Sequence, residues 1–416
     1  MRRCPQVYRC FFVLVVLLFT GCQPQMLAVI PTVASVAEAA QTAVSSALPP
    51  TFTPAAATPL PTLDTGQVNA TPTAKAKPGE IPTQTAVPPT ATLRPTATTT
   101  PPPTTGPTLI IKPFDRYPLS EIMPYQAFPT PTGNNGWGIH WIPTIKQEPG
   151  VVDQFVAEVV HMNIKWVVFL NDGVRVGDND YLVDQLVAHG IMPVMRLFQP
   201  TLQPYDGDIG GLVRHYRARG VYYYQIYNEP NTNVENTQSF ANPNLYAAEW
   251  ARVAREVVAN GGLPGIGALS PGGEYNHYDF LDRTLRALEF NGDDDLLNHA
   301  WLSVHNYHGL RPFDDPDGFL LFRQYDSIVQ SHLGRSLPII GTEAGSYNPD
   351  NRAQETELIR YQYGYMATAE PYFLAFSYWL LANRAGGGFD DSWEWQALFQ
   401  PGFTHPAVTE FFYHGG

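Results

Sequence analysis

Residues 134–416 are predicted to fold as an α/β protein, a (β/α)8 TIM barrel preceded by a disordered linker, on three observations. Short apolar runs alternate with amphipathic stretches throughout this part of the chain, the pattern of repeated βα units around a parallel sheet. Eight such units can be counted, and a span of about 280 residues is the usual size of a closed barrel. A doubly wound open sheet would place a Gly-rich phosphate turn after its first strand, and the sequence following His140 has none.

The strands are expected at 138–141, 166–170, 192–198, 221–227, 265–269, 301–307, 337–342 and 373–380. Between them lie segments with apolar residues at helical spacing, such as Phe155, Val156, Val159 and Val160, or Trp250, Val253, Ala254, Val257 and Val258. Each such stripe needs a sheet to cover it.

What precedes the barrel has a different composition. Residues 1–22 carry Arg2, Arg3 and Arg9, then the apolar run Phe11 to Phe19, then Thr20-Gly21-Cys22, which together make an export signal. The run is too short for a permanent membrane span, and the Arg2-Arg3 pair alone does not argue for twin-arginine export. Small residues ending in Cys22 resemble the lipobox of bacterial lipoproteins, with Phe19 where leucine is usual. The resemblance implies that Cys22 is lipidated and becomes the first residue of a membrane-anchored, cell-surface chain, with a plain secretory signal as the alternative.

Residues 23–107 read as linker, dominated from about residue 48 by Thr, Pro and Ala, as in 88–92 and 98–103. Such a stretch cannot bury enough apolar surface to order itself, and at about 3.1 Å per residue, some 60 residues reach on the order of 150 Å when extended. Residues 108–133, with Phe114, Tyr117 and Tyr125, form a lead-in that either packs on the barrel as a lid or extends the linker.

Composition removes several function classes. All three cysteines, Cys4, Cys10 and Cys22, precede the linker, so the barrel has no thiol nucleophile, zinc-thiolate site or disulfide. A net charge of −13, more negative still once the signal arginines are removed, makes the chain a poor partner for nucleic acid or an anionic membrane surface. Aromatic residues are 12% of the whole although the linker has few, which suits both sugar stacking and a large core.

Barrel chemistry sits where strands end and βα loops begin, so the polar residues beyond each apolar run are the candidates. Two acids stand out: Glu229 in Asn228-Glu229-Pro230 after the fourth strand, and Glu343 in Gly341-Thr342-Glu343-Ala344-Gly345 after the seventh. These two segments resemble the clan of retaining (β/α)8 glycoside hydrolases that includes cellulase-like and β-xylosidase-like families. The resemblance covers roughly 134–400 and implies Glu229 as acid/base, Glu343 as nucleophile, and Asn228 as partner of the 2-hydroxyl of the reacting sugar. His305-x-Tyr307 on the sixth strand resembles the clan's His-x-Tyr, implying a Tyr307 hydroxyl that donates to Glu343 with His305 lining the site. Trp379, after the eighth strand, resembles the aromatic platform under that sugar. The resemblance also implies a β-linked oligo- or polysaccharide substrate and no cofactor.

The physical need agrees with this pair, since a retaining mechanism wants two carboxyls roughly 5 to 5.5 Å apart. Strands four and seven face each other across a barrel mouth. Arg196 is a plausible cation to hold Glu343 ionised, or else part of a structural salt bridge. His140 and Trp141, after the first strand, are candidate sugar ligands, with a satisfied buried histidine as the bland reading of His140. Trp393 and Trp395, beside Gly386-Gly387-Gly388, are candidate outer subsites or loop packing, and His299 and His308 carry no assignment. Asp293-Asp294-Asp295 reads as a solvated turn or helix cap rather than a calcium loop, so no metal is expected. The same residues would serve a transglycosylase, and a non-catalytic carbohydrate-binding lipoprotein is the alternative of another class.

Overall fold

The computed structural model describes residues 117–236, 240–383 and 391–415. Cys22, the segments 1–22 and 23–107, the first part of the lead-in and the glycines 386–388 lie outside the described residues. Among the described residues no helix is long and apolar enough to cross a membrane.

Eight parallel strands close into a barrel in sequence order: β1 (Trp137–His140), β2 (Trp166–Asp172), β3 (Met192–Phe198), β4 (Tyr223–Ile226), β5 (Leu263–Leu269), β6 (Trp301–Tyr307), β7 (Ile339–Gly345) and β8 (Phe373–Tyr378), with β8 pairing back on β1. Helices follow the strands: α1 (Pro149–His161), α2 (Asp180–Ala188), α3 (Ile209–Arg217), α4 (Pro243–Ala259), α5 (His277–Asn291), α6 (Phe322–Leu333), α7 (Glu355–Tyr365) and the short α8 (Pro406–Glu410).

Local sequence explains the helix limits. In α4, the Asn242 side chain accepts from the N–H groups of Asn244 and Leu245, and Pro243 opens the first turn. Its buried Tyr246, Trp250, Val253 and Val257 recur at helical spacing and bring one face to the sheet. Helix α5 is capped likewise by Asn276 and ends at Gly292, whose φ of 74° is the left-handed conformation that glycine supplies cheaply.

Alternation along each strand builds two cores. Outward residues such as Met195, Leu197, Leu302 and Val304 join the helix faces in one large cluster. Inward residues nearer the strand starts, among them Val168, Val194, Trp166, Tyr223, Trp301 and Ile340, form a second cluster inside the barrel. There the Tyr223 ring meets Trp166 and Trp301 edge-on, at centroid distances of 5.5 and 5.8 Å. Gly265 is required at this level, because a Cβ would run into the Trp301 indole.

The lead-in proves to be a plug. Met123, Ala127 and Phe128 are buried in the inner cluster, at the end where the strands begin and so opposite the expected site. Polar bonds fasten it there: Tyr223 Oη donates to the Pro129 carbonyl (2.7 Å) and Asn298 Nδ2 to the Leu119 carbonyl (2.9 Å), while Asn134, just after it, accepts from Trp166 Nε1 (2.7 Å). His299 lies 3.2 Å from the Pro118 carbonyl, which gives it a structural place at the same end.

Most strands keep their expected place with ends shifted by one to three residues, and at β4 and β7 the shift has a backbone cause. Strand β4 stops at Ile226 because Tyr227 turns to a φ of 60°. Strand β7 runs on to Gly345, so Glu343 lies within it, and register shifts on both sides, at Val304/His305 and Gly341/Ala344, re-aim the chain around Glu343.

Candidate active site

The ends of β3, β4, β6, β7 and β8 bring Arg196, Asn228, Glu229, Tyr307, Glu343 and Trp379 to the wall of one cleft of about 750 Å3 at the barrel's C-terminal mouth. Glu343 is buried there and both its oxygens are engaged. Arg196 Nη1 donates to Oε1 at 2.5 Å, and Tyr307 Oη to Oε2 at 2.7 Å. Burial alone would push the Glu343 carboxyl up. The positive surroundings, His305 and Arg196 foremost, together with the Tyr307 hydrogen bond, outweigh burial and hold it below the usual carboxylate range. Tyr307 itself is pushed far up by burial and by Glu343, so it stays protonated and able to donate.

Glu229 is the more accessible acid, with 23% of its side chain exposed against 8% for Glu343. Its backbone is unusual for a non-glycine residue, with φ at 38°, and is held by its N–H to the Ala268 carbonyl of β5 (2.8 Å). Asn231, fully buried, ties the same loop to the β5 loop through Ser270 and Tyr275. The over-determined turn sustains the strained residue. His305 Nδ1 lies 2.9 Å from Glu229 Oε1 and 3.5 Å from Glu343 Oε2, so one imidazole bridges the two acids. One oxygen of each carboxyl and a His305 nitrogen lie within 4.8 Å of one another.

This triad is also the one group of three metal-ligand types found among the described residues. Its donor set is poor for a cation, because the Arg196 guanidinium and the Tyr307 hydroxyl already occupy the Glu343 oxygens and Arg196 would repel a metal ion. Asp293, in the acidic run, pairs with Arg255 and precedes a short 3-10 helix without capping it through its side chain, while Asp294 and Asp295 lie in that helix's first turn.

His140 is fully buried, its ring 4.4 Å from that of Trp379 and its Nδ1 bonded to the Trp141 carbonyl. Burial pushes its pKa down to about 4, so at neutral pH it is uncharged, and Arg196 is the fixed charge beside Glu343. Trp141 must be removed from the site. It is fully buried in the outer core, edge-on to Phe155, with Nε1 donating to Gln147 at 2.7 Å. Neighbouring strand residues face opposite sides, so if His140 points inward, Trp141 cannot.

Trp393 does line the cleft, 5.8 Å from Trp379, whereas Trp395 lies under the Arg352 guanidinium and lines a separate, smaller pocket. His308 is bonded to the Arg311 carbonyl and packs on Phe313. Sequence reasoning missed Glu235, Arg311 and Tyr347, which line the cleft from the loops after β4, β6 and β7. Their position in βα loops was the available signal, but nothing in the local sequence separates them from other loop residues.

No family model matches this chain, and no curated protein matches it. Solved structures similar to it include a family 39 glycoside hydrolase from the gut symbiont Bacteroides cellulosilyticus WH2, at 13% identity over 66% of this chain and 62% of that one, with a TM-score of 0.48. An endo-β-1,3-glucanase of family 128 from Pseudomonas viridiflava shows 14% identity over 67% and 97%, with a TM-score of 0.46. An endo-1,4-β-mannanase from Rhizomucor miehei shows 11% identity over 61% and 87%, with a TM-score of 0.40. The chain thus matches less than two thirds of the length of the family 39 enzyme.

Proposed function

We propose that this protein is a retaining glycoside hydrolase that cleaves a β-linked saccharide by double displacement. The observation that carries the reading is the pair Glu229 and Glu343 in one cleft, an oxygen of each within 4.8 Å, in unlike surroundings. Oxygens that close favour direct attack by one carboxylate over the wider spacing, about 6.5 to 9.5 Å between carboxyls, that an inverting mechanism uses.

Glu343, kept ionised, attacks the anomeric carbon as the bond to the leaving oxygen breaks, and Glu229 transfers its proton to that oxygen. Glu229 then takes a proton from water, whose oxygen attacks the same carbon and displaces Glu343. Tyr307 and Arg196 hold the attacking carboxylate in place. Trp379, with Trp393 beside it, is read as the apolar face against which the sugar packs. The chain is further proposed to act at the cell surface, anchored through a lipid on Cys22.

Activated 2-deoxy-2-fluoro glycosides test the reading. A glucosyl, xylosyl, mannosyl and galactosyl panel, followed by peptide mass spectrometry, is expected to place a label on Glu343 with at least one sugar. A folded protein that takes no label and hydrolyses no polysaccharide would instead be a carbohydrate-binding protein. Palmitate labelling in a bacterial host, lost in Cys22→Ser, checks the anchor.

A further inference from the structure

The cleft holds a third carboxyl that the two-acid reading does not use. Glu235 stands six residues beyond Glu229 in the same loop and lines the cleft. Its Oε1 accepts from Asn228 Nδ2 at 3.1 Å, and Asn228 Oδ1 in turn accepts from Gln225 Nε2 at 3.3 Å. The series continues into the barrel through Ser303 Oγ, which donates to Gln225 Oε1, and Thr342. The Glu235 backbone N–H is fixed to Thr232 Oγ1 at 3.3 Å, and that hydroxyl bonds the Glu229 carbonyl. Glu235 is therefore held in place relative to Glu229 by both its backbone and its side chain.

An ion pair does not account for it. Among the described residues no salt bridge of 4 Å or less engages Glu235; of the two arginines that line the cleft, Arg196 is paired with Glu343 and Arg311 lies 3.9 Å from Asp315. Burial pushes its carboxyl up, and Glu229 and Glu343 add to the effect against Arg196 and the Asn228 bond. A half-buried carboxyl beside two others costs stability, and such a cost is characteristic of a group retained for binding. A third acid beside Glu229 and Glu343 also repels an anionic sugar, while each of its oxygens can accept from a hydroxyl.

We propose that Glu235 is a substrate-binding residue, the third carboxyl of the cleft, which together with Asn228 grips a hydroxyl of a neutral sugar and helps decide which glycan the cleft accepts. The inference rests on the glycosidase reading, so its test must fail separately from it. Binding of cellopentaose, xylopentaose, mannopentaose and laminaripentaose is measured by calorimetry in the Glu229→Gln background, with and without Glu235→Ala. Steady-state kinetics of Glu235→Ala and Glu235→Gln on the preferred oligosaccharide complete the set.

The expected result is a loss of binding and a rise in KM of about ten- to a hundredfold in Glu235→Ala, the range of one hydrogen bond to a charged or strongly polar group, with kcat within a few fold. Glu235→Gln, which keeps an acceptor for Asn228 and can bond a hydroxyl, recovers most of that loss. Unchanged binding and KM in a folded Glu235→Ala overturn the inference and leave the glycosidase reading standing. A fall in kcat with KM unchanged also overturns it, since Glu235 would then act only through Glu229. If neither background binds any saccharide and the wild type hydrolyses none, both readings fall together.

Discussion

The two ends of the barrel are built from opposite materials. Where the strands begin, Trp166, Tyr223, Trp301 and the lead-in residues Met123 and Phe128 fill the interior with apolar rings, and their few polar atoms bond to backbone or to Asn134. Where the strands end, the same inward positions carry Arg196, His305, Tyr307 and Glu343 around an open cleft. Successive inward residues of one strand make the change: Trp301, Ser303, His305 and Tyr307 run from core to chemistry within seven residues. Inside the barrel the apolar packing is concentrated at one end, which leaves the other to hold groups that a core would reject.

If this division holds, substitutions at the mouth should cost activity and substitutions at the base should cost stability. The largest expected effect is at the mouth. Glu229→Gln should lower kcat on a substrate with a poor leaving group by about 10^2 to 10^4, the usual yield of general acid/base catalysis, while the thermal midpoint moves by only a few degrees. A midpoint that collapses with the activity would break the comparison. At the base, Trp301→Ala should destabilise by about 3 to 5 kcal/mol in urea unfolding, with kcat per folded molecule nearly unchanged.

Glu355 sharpens the division, because it lies after β7 yet outside the barrel wall, buried and bonded to Tyr378 Oη at 2.9 Å. Burial pushes its carboxyl up to about 7 from 4.5, against the weaker pull of that bond. Below pH 4.5 folded and unfolded chains are both protonated there and the group is neutral in effect. Between pH 4.5 and 7 the unfolded chain loses the proton first, so stability falls as pH rises and levels off above 7. Glu355→Gln should therefore gain on the wild type by about 3 kcal/mol between pH 4.5 and 8, with activity little altered. A gap that does not widen with pH would remove Glu355 from this account.

The smallest effect belongs to Tyr307→Phe, which deletes one hydrogen bond to Glu343 and leaves the ring. A fall in kcat of roughly ten- to thirtyfold is expected, with little change in the denaturation midpoint. A loss of stability larger than the loss of activity would mean that Tyr307 belongs with the base rather than with the mouth.

Sequence pattern predicted the barrel, and with it the strand order, and singled out Glu229 and Glu343, which the structure brings to one cleft. Each rests on something local: an apolar run, a helical stripe, or a polar residue just past the end of a run. The same period of two could have separated His140 from Trp141, since adjacent residues of a regular strand face opposite sides. What only the tertiary structure decided is whatever depends on meetings between distant segments. The lead-in was open between lid and linker until its apolar residues were seen to fill the strand-start end. Glu343 is engaged by Arg196, 147 positions away, and by Tyr307, and the bulge that aims it involves β6 and β8 as well as its own strand. Glu235 looks like any loop glutamate until Asn228, Glu229 and Glu343 are found around it. Periodicity is written residue by residue along the chain, whereas the field at a carboxyl is the sum over neighbours that folding alone brings together.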